Sequence, residues 1–284
     1  MRALEVNHVH INFHTHTKLC NHAVGETEDY VKSAIAKGFR IIGMSDHGTI
    51  PESFMDKNTY HYLWLQRHMR LEQMENIYFK QIDECKLKYA DKIKIYKGLE
   101  IEYLSNHIDY YKWLKNKVDY LILGPHFYQY NNKIMNVYET TTRFDNIDGF
   151  ANTIEEALDT KLFSFLAHPD IFMFNYISKD DILHKWDEKC EQITRRIVES
   201  TIKNDVFIEL NCGAVHLGKN KFNEFYYPRS EFWKIVKQYP NAKIVIGRDA
   251  HDYQNFNDEI TKVIEKFARE LGLNIIEDYD IRKE

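Results

Sequence analysis

Seven times along this chain of 284 residues a short apolar run gives way to a helix-like segment, and six of the runs end at a histidine, aspartate or glutamate. The runs cover residues 9–13, 39–44, 93–99, 120–123, 162–167, 206–210 and 243–246. Runs of this length, rich in Ile, Val, Phe and Tyr, read as strands, and strands buried on both faces need not alternate. Between and after them lie segments 27–37, 65–89, 105–117, 147–161, 187–203, 229–237 and 255–271. These carry apolar residues at three- and four-residue steps, the period of a helix with one buried face. Gly38 stands where the first helix needs its C-terminal cap. Alternating strand and helix imply a parallel sheet, because parallel strands need crossover connections. Seven units favour an α/β barrel over an open sheet, which periodicity alone does not distinguish, with residues 1–284 as a single domain. Residues 50–62 and 128–146 read as long loops.

Composition narrows the class of function. Hydrophobic residues make up 44% and charged residues 29%, which excludes a disordered chain. With 38 basic and 43 acidic residues the net charge is −5, so no broad grip on nucleic acid is expected. No run approaches the ~18 apolar residues of a membrane span. Residues 1–7 lack the apolar stretch of a signal peptide, so a cytoplasmic protein without a membrane partner is expected. Cys20, Cys85, Cys190 and Cys212 are too widely spaced for a CxxC pair, so no disulfide framework or cysteine zinc site is expected.

The 14 histidines carry the argument further. In a barrel of this kind the active site lies at the C-terminal ends of the strands. His14 and His16 are two apart on a strand, so they share a face and can converge on one metal ion. Asp249 and His251 repeat that spacing on the last strand, and His22 follows in a loop able to fold back over the rim. His47, His126, His168 and Glu100 stand at the ends of other runs. Imidazole with carboxylate suits zinc, iron or manganese, whereas all-oxygen sets suit magnesium or calcium. These nine candidates exceed what one ion can use, and two or three ions sharing a carboxylate would employ them all.

The motifs HTHTKLCNHA (14–23), SDHG (45–48), GLEIEY (98–103), GPHF (124–127), AHPD (167–170), ELN (209–211) and GRDAH (247–251) resemble those of the polymerase-and-histidinol-phosphatase (PHP) superfamily, nearest to its histidinol-phosphatase members. The resemblance implies a distorted (β/α)7 barrel and metal-dependent hydrolysis of phosphate esters, with L-histidinol phosphate as the expected substrate. It assigns His14, His16, Glu100 and Asp249 to a first metal. Glu100 would bridge to a second, held also by His126 and His168, while His22, His47 and His251 hold a third. Glu100 and Asp249 are the expected catalytic carboxylates, with Asp249 near the leaving oxygen. Asp46 is read either as a residue orienting an imidazole or as a helix N-cap.

The chain departs from the family where the phosphate should sit. Relatives commonly carry an arginine shortly after ELN, and some another after the HxD motif; residues 211–219 and 168–175 contain none. The candidate substitutes are Arg248, His216, Arg229 and Arg143, with Lys219 beside them. That absence keeps open another small phosphate ester, such as a sugar phosphate or nucleotide. A non-enzymatic PHP module would predict eroded ligands. An amidohydrolase-type barrel would predict a lysine bridge and a lone Asp on the last strand. Of the other histidines, His10 reads as hydrogen-bonded core, and His61, His68, His107 and His184 as surface. Tyr60, Tyr62, Trp64, Tyr128, Tyr130 and Tyr138 either wall a pocket for a flat ring or pack the loops down.

Overall fold

The computed structural model describes residues 11–57, 60, 64–139, 141–279 and 281. His8, His10, His61 and Tyr62 lie outside the described residues. Seven parallel strands form one sheet: β1 (Ile11–Asn12), β2 (Ile41–Met44), β3 (Lys94–Ile101), β4 (Tyr120–Leu123), β7 (Phe165–Leu166), β8 (Phe207–Asn211) and β9 (Lys243–Gly247). They pair in that order. Just beyond β1 and β9, Thr15 bridges Ala250 in parallel, and His16 N donates to Ala250 O at 2.9 Å. The sheet is thereby a nearly closed seven-strand barrel, as the strand count implies.

Two residues separate β5 (Phe127–Tyr130) from β6 (Lys133–Asn136), an antiparallel hairpin inside the stretch read as loop. Its turn residues Asn131 and Asn132 both have positive φ, as a tight hairpin turn requires. The helices are α1 (Thr27–Ala36), α2 (Phe79–Lys88), α3 (Ile108–Lys115), α4 (Asp148–Asp159), α5 (Glu188–Asn204), α6 (Ser230–Val236) and α7 (Asp258–Leu271). Local chemistry sets their ends. A reciprocal pair caps α1, with Asp29 accepting from Glu26 N, and Gly38 follows in the left-handed region. Asp187 accepts from Lys189 N and Cys190 N at the start of α5.

The helix expected over 65–89 is interrupted. A π-helical turn, Met74–Tyr78, precedes α2, and such turns gather at functional sites. Here it delivers Tyr78 to the sheet, where the hydroxyl accepts from Asp46 N at 2.9 Å and donates to Gly98 O at 3.1 Å.

Strand residues alternate between two cores. Ile42, Met44, Leu99, Leu121, Leu123, Ile208, Leu210, Ile244 and Ile246 pack in the larger cluster with the helices. Ile41, Tyr96, Tyr120, Ile122, Phe165 and Val245 fill the interior with Phe13, Tyr279 and Ile281. Tyr120 lies across Gly98, where an added Cβ would run into its ring, so β3 carries no side chain at that inward position. The Tyr120 hydroxyl then donates to Phe13 O at 2.7 Å, joining β4 to the chain just after β1. Glu100, Glu209 and Asp249 share the inward parity of Tyr96, Phe207 and Val245 and lie nearer the C-terminal ends of their strands. The strand chemistry therefore changes from apolar to acidic at the upper end of the barrel. Among the described residues no helix is long and apolar enough to cross a membrane.

Candidate metal centre

Glu100 is 1% exposed and stands at the centre of the upper rim. Its Oε2 is 3.2 Å from His14 Nε2, 3.1 Å from His47 Nδ1 and 3.5 Å from His16 Nε2. Its Oε1 is 2.8 Å from His168 Nε2 and 3.8 Å from His126 Nε2. Asp249 Oδ1 lies 3.1 Å from His16 Nε2 and 3.5 Å from both His14 Nε2 and His251 Nδ1. His22 Nε2 reaches His251 Nε2 at 3.0 Å, because the turn after β1 folds its loop back over the rim. All nine residues proposed as ligands from sequence are thus brought together from six strand ends and one loop.

A second layer holds these side chains in place. Glu209, fully buried, takes His14 Nδ1 at 2.8 Å through Oε1 and accepts from His168 N at 3.0 Å through Oε2. It crosses directly over Gly247, where any Cβ would collide with its carboxyl group. Glu102, two residues beyond Glu100 and on the same face, meets His126 Nδ1 at 2.9 Å and His68 Nε2 at 3.1 Å. Asp46 lies 3.6 Å from His16 Nδ1, accepts from His47 N at 2.8 Å, and also accepts from Thr17 N and its hydroxyl. It caps no helix; of the two readings of Asp46, the one beside an imidazole matches its position. Carboxylates behind ligating imidazoles fix the ring orientation and raise its basicity. Glu209 and Glu102 were not singled out in the sequence, although both share the inward parity of named residues.

Several other expectations are corrected. His68 is buried, stacked on Trp64 and bonded to Glu102, not at the surface. His184 is buried against Met173 O, and His107 stacks on Phe54. Trp64 and Tyr128 pack inward as core, and Tyr60 is buried with them, whereas Tyr138 lies beside His126, ring centroids 5.9 Å apart. The Arg248 guanidinium is committed to Phe256 O and Asp258, between the rings of Phe39 and Phe256. Its neighbours Gly247 and Asp249 face inward, so Arg248 must face the outer layer. Arg143 is exposed and paired with Asp181. His216 is exposed on the loop beyond β8, bonded to Gly213 O at 2.6 Å. Lys219, on the same loop, is exposed over the ring of Phe225. Arg229 is 1% exposed, with Nη2 on Glu231 but no partner for Nε and Nη1.

The rim carries polar atoms that the protein itself leaves unsatisfied. His14 Nε2, both ring nitrogens of His16, His47 Nδ1, Glu100 Oε2 and His168 Nδ1 are buried without a hydrogen-bond partner. Several of these atoms face carboxylate oxygens as ion-pair contacts at 3.1–3.5 Å without well-aligned hydrogen bonds, an arrangement that a metal ion between them would satisfy. His168 and Asp249 also hold positive φ angles of 27° and 48°, strain of the kind that persists at functional sites. Donor atoms of His14, His16 and Asp249 lie within 4.8 Å of one another, as do those of His14, Glu100 and His168, of His16, His47 and Glu100, and of His22, His47 and His251. Cys20 forms a further such group with His16 and His251. Crowded, unsatisfied imidazole and carboxylate groups are a donor set for divalent metal ions.

The PHP domain model matches residues 12–213. This chain belongs to the PHP domain family. It is 29% identical over 97 residues to the histidinol-phosphatase of Bacillus subtilis, covering 34% of each chain. It is 24% identical over 188 residues to a Deinococcus radiodurans protein named as a histidinol-phosphatase, covering 61% of this chain and 66% of that one. The chain therefore matches less than two thirds of either relative's length. Among solved structures it resembles a Listeria monocytogenes protein carrying a histidinol phosphatase name, with a TM-score of 0.67 and 18% identity over 89% of this chain and 99% of that one. It also resembles histidinol phosphate phosphatase from Lactococcus lactis, in complex with zinc, L-histidinol and phosphate, with a TM-score of 0.66 and 16% identity over 94% and 95%. At those identities the likeness is one of fold.

The electrostatics of this PHP domain prepare it for cations. Burial opposes charge on His14, yet Glu209, Asp249 and Glu100 lift its pKa well above the ordinary imidazole value. Burial likewise opposes charge on His16, but Asp249 and Asp46 raise its pKa to about 9. Burial and then the His16 charge push His251 down to about 3, and burial pushes His22 down to about 4. Burial disfavours the ionised forms of Glu100 and Asp249, yet His14 first among the histidines holds both pKa values well below the carboxylate range. At neutral pH the carboxylates are ionised, His22 and His251 are neutral, and His14 and His16 hold protons that a metal must displace.

Two outcomes follow. Metal affinity will fall as pH drops from 8 to 6, with protons released on binding, as read by zinc titration in buffers of differing ionisation enthalpy; pH-independent uptake without proton release would contradict this. Glu209→Gln will weaken zinc binding by about 10- to 100-fold in a competing-chelator assay while circular dichroism stays unchanged, because His14 loses its charged anchor.

Proposed function

We propose that this PHP domain is a metal-dependent phosphomonoesterase whose substrate is L-histidinol phosphate. The observation that carries the reading is the buried Glu100 carboxylate, shared by histidines from both sides of the rim. The relatives' histidinol-phosphatase names support the substrate. Zinc, L-histidinol and phosphate in the Lactococcus lactis neighbour support both the metal and the ester.

Two or three ions of zinc, iron or manganese fit the donor set. His14, His16, Asp249 and Glu100 would hold the first, Glu100 with His126 and His168 the second, and His22, His47 and His251 the third. Such ions supply Lewis acidity, lowering the pKa of water and countering negative charge on the phosphoryl group. The protein's part is placement. Glu100 fixes the spacing between the two groups of histidines. Glu209, Glu102 and Asp46 hold the imidazoles of His14, His126 and His16 so that their donor atoms do not swing away. Water attacks phosphorus as the bond to the leaving alkoxide breaks in line. Asp249 Oδ1 faces three histidines, leaving Oδ2 to take the proton that water loses and pass it to the leaving alkoxide. Of the cations expected at the phosphate, Arg229 keeps two buried donors, Nε and Nη1, without a partner.

The second reading retains the site and changes the ester to a sugar phosphate or nucleotide, favoured by the arginine-free stretches 211–219 and 168–175. Parallel assays of the metal-loaded protein on histidinol phosphate, nucleoside monophosphates and p-nitrophenyl phosphate separate the two. The expected kcat/KM for histidinol phosphate exceeds the others by about 100-fold or more, the discrimination a polar pocket provides. Preference for a nucleotide would move the substrate, and no hydrolysis of any ester would overturn the phosphatase reading.

A further inference from the structure

The segment between β2 and α2 brings a cation to the metal centre that no motif points to. Arg67 begins a few residues past buried Trp64, and its amide closes a turn onto Trp64 O at 3.1 Å. Asn21 Nδ2 donates to Leu65 O at 3.2 Å and to His68 O at 3.4 Å, so the loop carrying His22 and the segment carrying Arg67 are tied together. The following His68 and Met69 are buried, which fixes the far side of the same segment.

From this anchored turn the guanidinium reaches across to Tyr138, with Cζ 5.7 Å from the ring centroid. Tyr138 in turn lies nearly parallel to His126, and Tyr227 packs on His168 with ring centroids 5.9 Å apart. The two tyrosines therefore stand on two of the candidate ligands, and Phe174 contacts both, with ring centroids 5.1 Å from Tyr138 and 6.5 Å from Tyr227. Arg67 is solvent-exposed, and its guanidinium lies over the Tyr138 ring, on the side of the molecule where Tyr138 stands against His126. Among the described residues no carboxylate pairs with Arg67, unlike Arg143 and Arg248, which are taken by Asp181 and Asp258.

A guanidinium laid on an aromatic ring keeps its edge N–H groups available, and that planar fork matches two oxygens of a phosphate. Metal ions held by His22, His47 and His126 would repel this guanidinium unless an anion lay between them. We propose that Arg67 is the phosphate clamp of this site, gripping the substrate's phosphoryl oxygens from above Tyr138 in the role left empty by the arginine-free stretches 211–219 and 168–175. The proposal rests on the phosphomonoesterase reading for the identity of the anion.

The test compares wild type with Arg67→Ala, Arg67→Lys and Arg195→Ala, the last an exposed arginine on α5 paired with Glu191. Binding of inorganic phosphate to each metal-loaded protein is measured by calorimetry, alongside metal content and thermal midpoint. Arg67→Ala is expected to raise the phosphate Kd by about 10-fold or more, the worth of a charged hydrogen-bond pair, with metal content and midpoint as in wild type. Arg67→Lys is expected to fall between, and Arg195→Ala to match wild type. Unchanged phosphate binding in Arg67→Ala would overturn the proposal, as would loss of metal in that variant, which would make Arg67 a prop for His22. If wild type binds phosphate but hydrolyses no phosphomonoester, the enzymatic reading fails, and the phosphate affinities still decide the role of Arg67.

Discussion

One buried carboxylate organises this molecule. Glu100 sits at 1% exposure with His14, His47 and His168 all within 3.2 Å. Burying an ionised carboxylate without compensation is expensive, so its neighbours must carry positive charge. Protonated imidazoles supply some of it, but crowded imidazoles repel one another, which is why burial and the charge of His16 push His251 down to about 3. Divalent ions held by these residues would resolve both conflicts at once. They would counter the carboxylates and give the mutually repelling histidines a common charge to bind.

The barrel exists to hold that arrangement still. Its lower interior is filled by Phe13, Tyr96, Tyr120, Phe165 and Val245, so the strands cannot collapse inward. Above that layer the inward positions become Glu100, Glu209 and Asp249. The strands close where His16 N meets Ala250 O, so the HxH and DxH pairs face each other across the seam. Glu209 crosses the seam region over Gly247 to hold His14 and His168 together, which makes a glycine on β9 part of the metal centre's architecture.

Much of this was legible in the sequence because strand parity is simple. Residues two apart share a face, so His14 with His16 and Asp249 with His251 identified themselves, and apolar runs marked the strands that carry them. The same rule, applied to residue 248, places Arg248 outward between inward-facing Gly247 and Asp249. It also places Glu209 and Glu102 inward, beside Asn211 and Glu100. What parity cannot show is which distant imidazole an inward acid will meet, since that depends on which strands pair. The burial of His68 has a different origin. Helical spacing over 65–89 leaves His68 at the flank of the apolar stripe, whereas the chain turns at Trp64–Arg67 and becomes α-helical at Leu71, which stacks His68 on Trp64 and against Glu102. The hairpin around Asn131 and Asn132 was hidden because its strands are short and partly exposed.

The most direct test of the account is anomalous diffraction from crystals of the protein grown with zinc. The account predicts peaks within about 2.0–2.2 Å of Glu100 oxygens and of nitrogens from His14 and His168, with Glu100 touching more than one ion. Ions found only on surface carboxylates, with Glu100 bare, would contradict it.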